Sequence, residues 1–192
     1  MAFWLISLES HSHGLYCHID GGSCHYGSVA FIVNVTGSLL GRIKDVVGRR
    51  PEVYTVYPAM IDTVGGVGSI VGSTATTKLA LGLIDSSFSS IKRHSCEIGG
   101  AWGASLIMFT LYSMLSFFAL GGSSSTHPLK FTAQLLTANI LAVFFIVFIA
   151  YALAIFTYKH GWDPDNFVIP IESSLADSIT TLSLLIALTV IA

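Results

Sequence analysis

Charge is scarce in this chain. Only 10% of its 192 residues are Asp, Glu, Lys or Arg, against about 25% in an ordinary soluble domain. With 53% hydrophobic residues and a mean hydropathy of +0.73, the shortage excludes a soluble fold. It predicts a multi-pass integral protein of the cell membrane, in contact with lipid. The few cations form no basic patch, so nucleic acid is excluded as a partner. The formal net charge of −2 says nothing about partners. Cysteine is also sparse. Cys17, Cys24 and Cys96 are too few and too scattered for a disulfide framework. No basic segment precedes the short apolar run at 2–8, which ends at Glu9, so no signal peptide is read there. The seven histidines have no paired acid or nucleophile beside them. That leaves no catalytic constellation, and the expectation is that the chain is not an enzyme.

Long apolar runs are abundant. Residues 1–26 read as a leader of unclear role, and 27–192 as one membrane domain. The leader carries His11, His13, Cys17, His18, Cys24 and His25, in a spacing that fits no standard zinc pattern. Ser28–Gly41 reads as the outer part of a first span, followed by a polar linker to Pro51. A second segment runs from about Tyr54 to Ile84, a polar loop from Asp85 to His94, and a third span over about Glu97–Leu120. The third has Gly99 and Gly103 in the GxxxG spacing of membrane helix contacts. A fourth span, about Leu129–Tyr158, is the most uniformly apolar and is expected to face lipid. The predicted fold is all-α, with about five transmembrane helices per chain. An odd number of spans without an internal repeat suits a pathway built by dimerisation.

The fifth span, Phe167 to Ile191, is long enough to cross a bilayer core, which takes about 20 residues. It nevertheless holds two carboxylates, Glu172 and Asp177. An acid inside a spanning helix costs roughly 2.5–3.5 kcal/mol on insertion scales, so it faces a partner or water rather than lipid. Steps of three or four from Asp177 meet Pro170, Ser173, Ser174, Thr180 and Thr181, with Asn166 one turn further out. The opposite side carries Phe167, Ile171, Leu175, Ile179 and Leu182. One polar stripe on an otherwise apolar helix predicts a pore or cavity wall. Glu172 lies about 140° from Asp177 on an ideal helix. It is read either as a pore-mouth acid or as a helix contact.

The second segment is dense in glycine: Gly65, Gly66, Gly68 and Gly72 follow Pro58 and Asp62. Gly65, Ser69 and Ser73 are four apart, a spacing that lets helix backbones approach closely in a membrane. A break near Gly65-Gly66 is expected, because irregular backbone is tolerated at membrane depth where it lines a cavity.

Two blocks carry a family resemblance. DPDNFVIPIESSLAD at 163–177 resembles the stretch that opens the last helix of the MgtE-type divalent cation transporters. Pro58 followed by Gly65, Gly66 and Gly68, with Lys78 beyond, resembles that family's second helix. The resemblance covers roughly residues 28–192. It implies an MgtE-like transmembrane domain that works as a homodimer, with a central pathway for divalent cations, Mg²⁺ foremost, lined by the second and fifth helices. It implies that Asp177 binds the hydrated ion, helped by backbone near Ser173. The chain departs from the pattern in having Val67 and Val71 after the glycines, and it adds Asp62. The family's cytosolic regulatory domains are not among these residues, so gating by them is not carried over.

The expected ion ligands are therefore Asp177, Ser173, Asp62 and Glu172. The expected pathway lining is Asn166, Pro170, Ser174, Thr181, Gly65, Gly66 and Ser69. Mg²⁺ prefers oxygen ligands and sheds its waters reluctantly, which suits carboxylates ringed by hydroxyls. Mg²⁺ is expected as the transported ion rather than an enzymatic cofactor. Other divalent ions (Mn²⁺, Co²⁺, Ca²⁺) and a non-transporting membrane adaptor are the alternatives.

Overall fold

The structure, a computed structural model, describes residues 50–119, 127–161 and 164–191. At 164–167, 169 and 170 it describes the backbone alone. The leader 1–26 and the first predicted span at 28–41 lie outside the described residues.

Long helices form where the apolar runs predict them: α1 (Pro51–Ala80), α2 (Ser95–Ala119), α3 (Pro128–Lys159) and α4 (Pro164–Val190). Proline opens α1 and α3, where its missing N–H has no intrahelical partner to lose. Gly82 and Gly161, with φ of 67° and 66°, turn the chain after α1 and α3. A side chain is strained in that left-handed conformation. The loop expected at 85–94 tightens into a short 3-10 helix, Phe88–His94.

One expectation is overturned. α1 runs unbroken through Gly65-Gly66 and carries Pro58 inside it. Glycine weakens a helix by roughly 1 kcal/mol per residue relative to alanine. Here helix packing outweighs that cost, because Gly65, Gly68 and Gly72 lie directly against neighbouring side chains.

The helices form an up-and-down bundle. Ser116 Oγ donates to the Glu52 carbonyl at 2.8 Å at one end of α1, and Lys78 pairs with Glu97 at the other, so α2 is antiparallel to α1. Arg50 bonds Gln134 at 3.4 Å, and Gln134 Nε2 donates to the Ile191 carbonyl at 3.0 Å. These contacts make α3 parallel to α1 and α4 antiparallel to α3. α1 and α3 pack on each other and on both remaining helices, so α2 and α4 flank the central pair. Val53, Val56, Met60, Val64, Val67 and Val71 place one face of α1 in the core, against Leu135, Ala142 and Ile146 of α3.

The exterior suits lipid. Ile107, Leu111, Leu115 and Phe118 of α2, and Phe144, Phe145 and Phe148 of α3, are exposed. The expectation that α3 faces lipid holds on that side only. Its other side is core, with Leu135, Ile146 and Tyr151 buried. By length and apolar composition, Phe88–Ala119, Pro128–Lys159 and Ile171–Val190 are each able to cross a membrane. α1 is long enough at 30 residues, but its Gly, Ser and Thr content keeps it below that apolarity.

Small polar residues tie the apolar helices together, as in other membrane bundles. The Asn139 amide donates to Ser105 Oγ at 3.1 Å, and Ser113 bonds Thr132 at 2.7 Å. Asn139 is fully buried. Asn139→Ala is expected to lower the unfolding stability in detergent by about 1 kcal/mol, within the range for interhelical bonds in membranes. Added to Ser105→Ala, it should cost less than the sum of the two single changes. Full additivity would show that the pair does not couple α2 to α3.

Candidate functional site

α1 and α4 meet along an antiparallel seam. The hydroxyls of Tyr57 and Thr181 hydrogen-bond near one end. A Cβ placed on Gly65 would lie 3.4 Å from Ala176 Cβ. One placed on Gly68 would lie 2.8 Å from Ile146 and 3.4 Å from Glu172 Oε2. One placed on Gly72 would meet Glu172 Oε1 and Val168, each at 2.5 Å. Glycine is thus required at Gly68 and Gly72 by close approach. Interpolating between these contacts puts Asp62 level with Asp177 and Ser178.

The seam has two sides. On the side away from α3, α1 presents Pro58, Asp62, Gly66, Ser69, Ser73 and Thr77, all exposed or half-buried. These residues recur every three or four positions, so they form one stripe along the helix. By helical phase, α4 presents Ser173, exposed, and Asp177, half-buried, beside that stripe. The fold therefore brings Asp62, Gly66, Ser69, Ser173 and Asp177 onto one open face. Ser174 lies further round α4, half-buried. Gly65 sits in the seam itself, and Thr181 is buried with its hydroxyl on Tyr57. The side chains of Asn166 and Pro170 lie outside the described residues.

Glu172 points elsewhere. Its side chain is 0% exposed and faces Gly68 and Gly72 within the seam. Neither carboxyl oxygen has a hydrogen-bond partner among the described residues. The sequence reading counts it among the expected ion ligands but leaves it as either a pore-mouth acid or a helix contact; in the structure it stands in a helix contact. The rotation of about 140° between them carries Glu172 off the open face and under α1.

Tyr57 is the residue that sequence reasoning misses. Its hydroxyl bonds Thr181 and lies within electrostatic reach of Asp177. The signal was present: the phase of Gly65, Gly68 and Gly72, extended back by fours, passes through Ile61 to Tyr57. Lys78, a conceivable partner for Asp62, pairs instead with Glu97. Beside that pair, His94 is fully buried, with Nε2 at 3.0 Å from Thr74 Oγ1 and 3.2 Å from the Val71 carbonyl. This network clamps the chain after α1 onto α1.

The open face offers oxygen donors and no thiol or imidazole, a set suited to hard cations. Among the described residues, no three His, Cys, Asp or Glu side chains converge. The described residues of one chain therefore supply no dehydrating cage, whereas an ion that keeps its waters needs few direct ligands. Two grooves, of about 510 and 310 Å³, are lined by Phe148 and other mostly apolar residues on the outer side of α3. They contain no carboxylate and have the character of lipid contacts.

A family model described as "MgtE: Divalent cation transporter" matches residues 57–187. The match takes in both halves of the seam. No curated protein and no solved structure matches the chain.

The seam geometry separates two glycine substitutions. Gly72→Ala forces a methyl against Glu172 and Val168, and should destabilise the bundle by about 1–3 kcal/mol, the usual cost of overpacking. Gly66→Ala meets nothing within 4 Å and should leave thermal stability in detergent unchanged or slightly raised. Equal effects from the two would contradict this register of α1 on α4.

Proposed function

The chain belongs to the MgtE family of divalent cation transporters, and on that premise we propose that it carries Mg²⁺ across the cell membrane along the Asp62–Asp177 face. The reading is supported by the register of the seam, which by interpolation sets Asp62 of α1 level with Asp177 of α4, next to the hydroxyls of Ser69 and Ser173. Asp177 binds the hydrated ion by charge and by hydrogen bonds to its waters. Backbone near Ser173 supplies further acceptors, and Asp62 draws the ion in from the α1 side. Mg²⁺ is favoured over softer ions because every donor on the face is oxygen.

A polar face on a lipid-embedded bundle must be covered, because acids and hydroxyls are costly against hydrocarbon. A second copy of the chain covers it and supplies a second Asp177. The pathway then lies between two copies, with five spans per chain once the first predicted span is included. Two like-charged acids across such a pathway select cations over anions.

The test is Mg²⁺ flux into proteoliposomes for the wild type beside Asp177→Asn, with dimer content measured in detergent. Flux should fall by at least about ten-fold, equivalent to roughly 1.4 kcal/mol, while the dimer persists. Undiminished flux in Asp177→Asn would remove Asp177 from the pathway. A wild type that moves no divalent ion would favour the membrane adaptor.

A further inference from the structure

We propose that Tyr57 is a positioning residue of the ion site: its hydroxyl, bound to Thr181, holds α4 in the rotation that keeps Asp177 on the open face. The proposal rests on the transporter reading, whose ion site it extends.

α1 and α4 are gripped together in two different ways. Toward the Lys78 end the grip is close packing, with Gly65 against Ala176, and Gly68 and Gly72 against Glu172. A Cβ on Gly65 would stand only 3.4 Å from Ala176 Cβ. Toward the other end the grip is a hydrogen bond at the tip of a long side chain, between the hydroxyls of Tyr57 and Thr181. Helices that touch at Gly65 and are bridged by a whole tyrosine side chain at Thr181 cross near Gly65 and part toward Tyr57. Ala176 precedes Asp177 directly, so the acid stands beside the crossing point.

Helical phase shows what the second grip adds. At about 100° per residue, Ala176 is turned about 100° from Asp177, whereas Thr181 is turned only about 40° from it. The glycine contacts therefore hold α4 by one face, and Tyr57 holds it close to the face that carries Asp177. Contact between small residues resists separation of the helices better than rolling about the line of contact, because dispersion has little directionality. A hydrogen bond is directional, and this one breaks if α4 rolls. Thr181 is 0% exposed and lies about 6 Å along the helix from Asp177. The Tyr57 hydroxyl is within electrostatic reach of that acid. The polar side of α4 ends at this bond, since the next residues in phase, Leu184, Leu185 and Leu188, are apolar.

Loss of the Tyr57 hydroxyl leaves the glycine contacts in place, so the bundle still forms. Asp177 then takes up a wider range of orientations. A hydrated ion held by charge and by hydrogen bonds to its waters loses affinity when the acid is less well placed.

The test is the Mg²⁺ concentration dependence of flux in proteoliposomes for Tyr57→Phe, Thr181→Val and the double variant, beside Asp177→Asn. Tyr57→Phe keeps the ring and removes only the hydroxyl. It should raise the half-saturating Mg²⁺ concentration by about three- to ten-fold, the equivalent of one hydrogen bond. Flux at saturating Mg²⁺ should stay close to that of the wild type, as expected for lost binding. Thr181→Val should give the same shift, and it carries the prediction alone if Tyr57→Phe does not fold. The double variant should shift no further, since all three lack the same bond. The rise of unfolding temperature with Mg²⁺ in detergent, which needs no flux, should move to higher Mg²⁺ by the same factor. A merely structural role would lower the saturating flux at unchanged half-saturation, and that result overturns the proposal. An unchanged Thr181→Val also overturns it, by placing the Tyr57 hydroxyl on the ion itself, and so do additive shifts in the double variant. If Asp177→Asn loses flux while Tyr57→Phe and Thr181→Val match the wild type, the ion site stands and the role of Tyr57 falls. Full flux in Asp177→Asn removes the ion site, and the role of Tyr57 with it.

Discussion

Close approach of α1 to α4 at Gly65, Gly68 and Gly72 is the constraint on which the other features depend. Three positions without side chains let two helices of 30 and 27 residues lie backbone to side chain. Their register then sets what stands at each depth. It places Asp62 level with Asp177, Tyr57 beside Thr181, and Glu172 against Gly68 and Gly72. A methyl group at Gly72 would collide with the Glu172 carboxyl and with Val168. The same contact therefore holds the bundle together and divides its acids into two populations. Asp62 and Asp177 lie on the open face, and Glu172 lies in a sealed notch.

That division has a direct energetic basis. In lipid, small residues favour association because they allow close van der Waals contact rather than through a hydrophobic driving force. The glycines of α1 face α4, and the valines of the same helix face α3. The third face carries Asp62, Ser69 and Ser73, which are exposed or half-buried among the described residues. α1 is consequently the least apolar of the long helices, although it packs on all three others. A lipid-exposed helix of that composition would be costly, whereas one that borders a watery path is not.

Much of this was legible in the sequence. The apolar runs locate α2, α3 and α4 to within a few residues, because a membrane span leaves little freedom in length. Of the polar stripe read on α4, Ser173 is exposed and Asp177 half-buried, whereas Thr180 and Thr181 are buried; the family resemblance drawn from 163–177 and from Pro58 with its glycines agrees with the match over 57–187. Other features depended on tertiary packing that phase cannot supply. Low propensity at Gly65-Gly66 suggested a break, but α1 is continuous through it, with Gly65 packed on Ala176 of α4. The angle between Glu172 and Asp177 could be read from the sequence. What Glu172 faces could not, because that depends on which α1 residues stand opposite. The partner of Lys78 was likewise hidden, since Glu97 reaches it only after the chain turns at Gly82.

The central claim is that the face carrying Asp62, Ser69, Ser173 and Asp177 borders water and divalent ions inside the membrane. Its most direct test is thiol accessibility of Ser173→Cys, with Cys17, Cys24 and Cys96 replaced by serine and Phe148→Cys as the lipid-facing control. The account predicts that a charged, membrane-impermeant reagent modifies Ser173→Cys, that Mg²⁺ slows the reaction, and that Phe148→Cys stays unreactive. An inert Ser173→Cys, or one modified at the same rate with and without Mg²⁺, would contradict an ion path along this face.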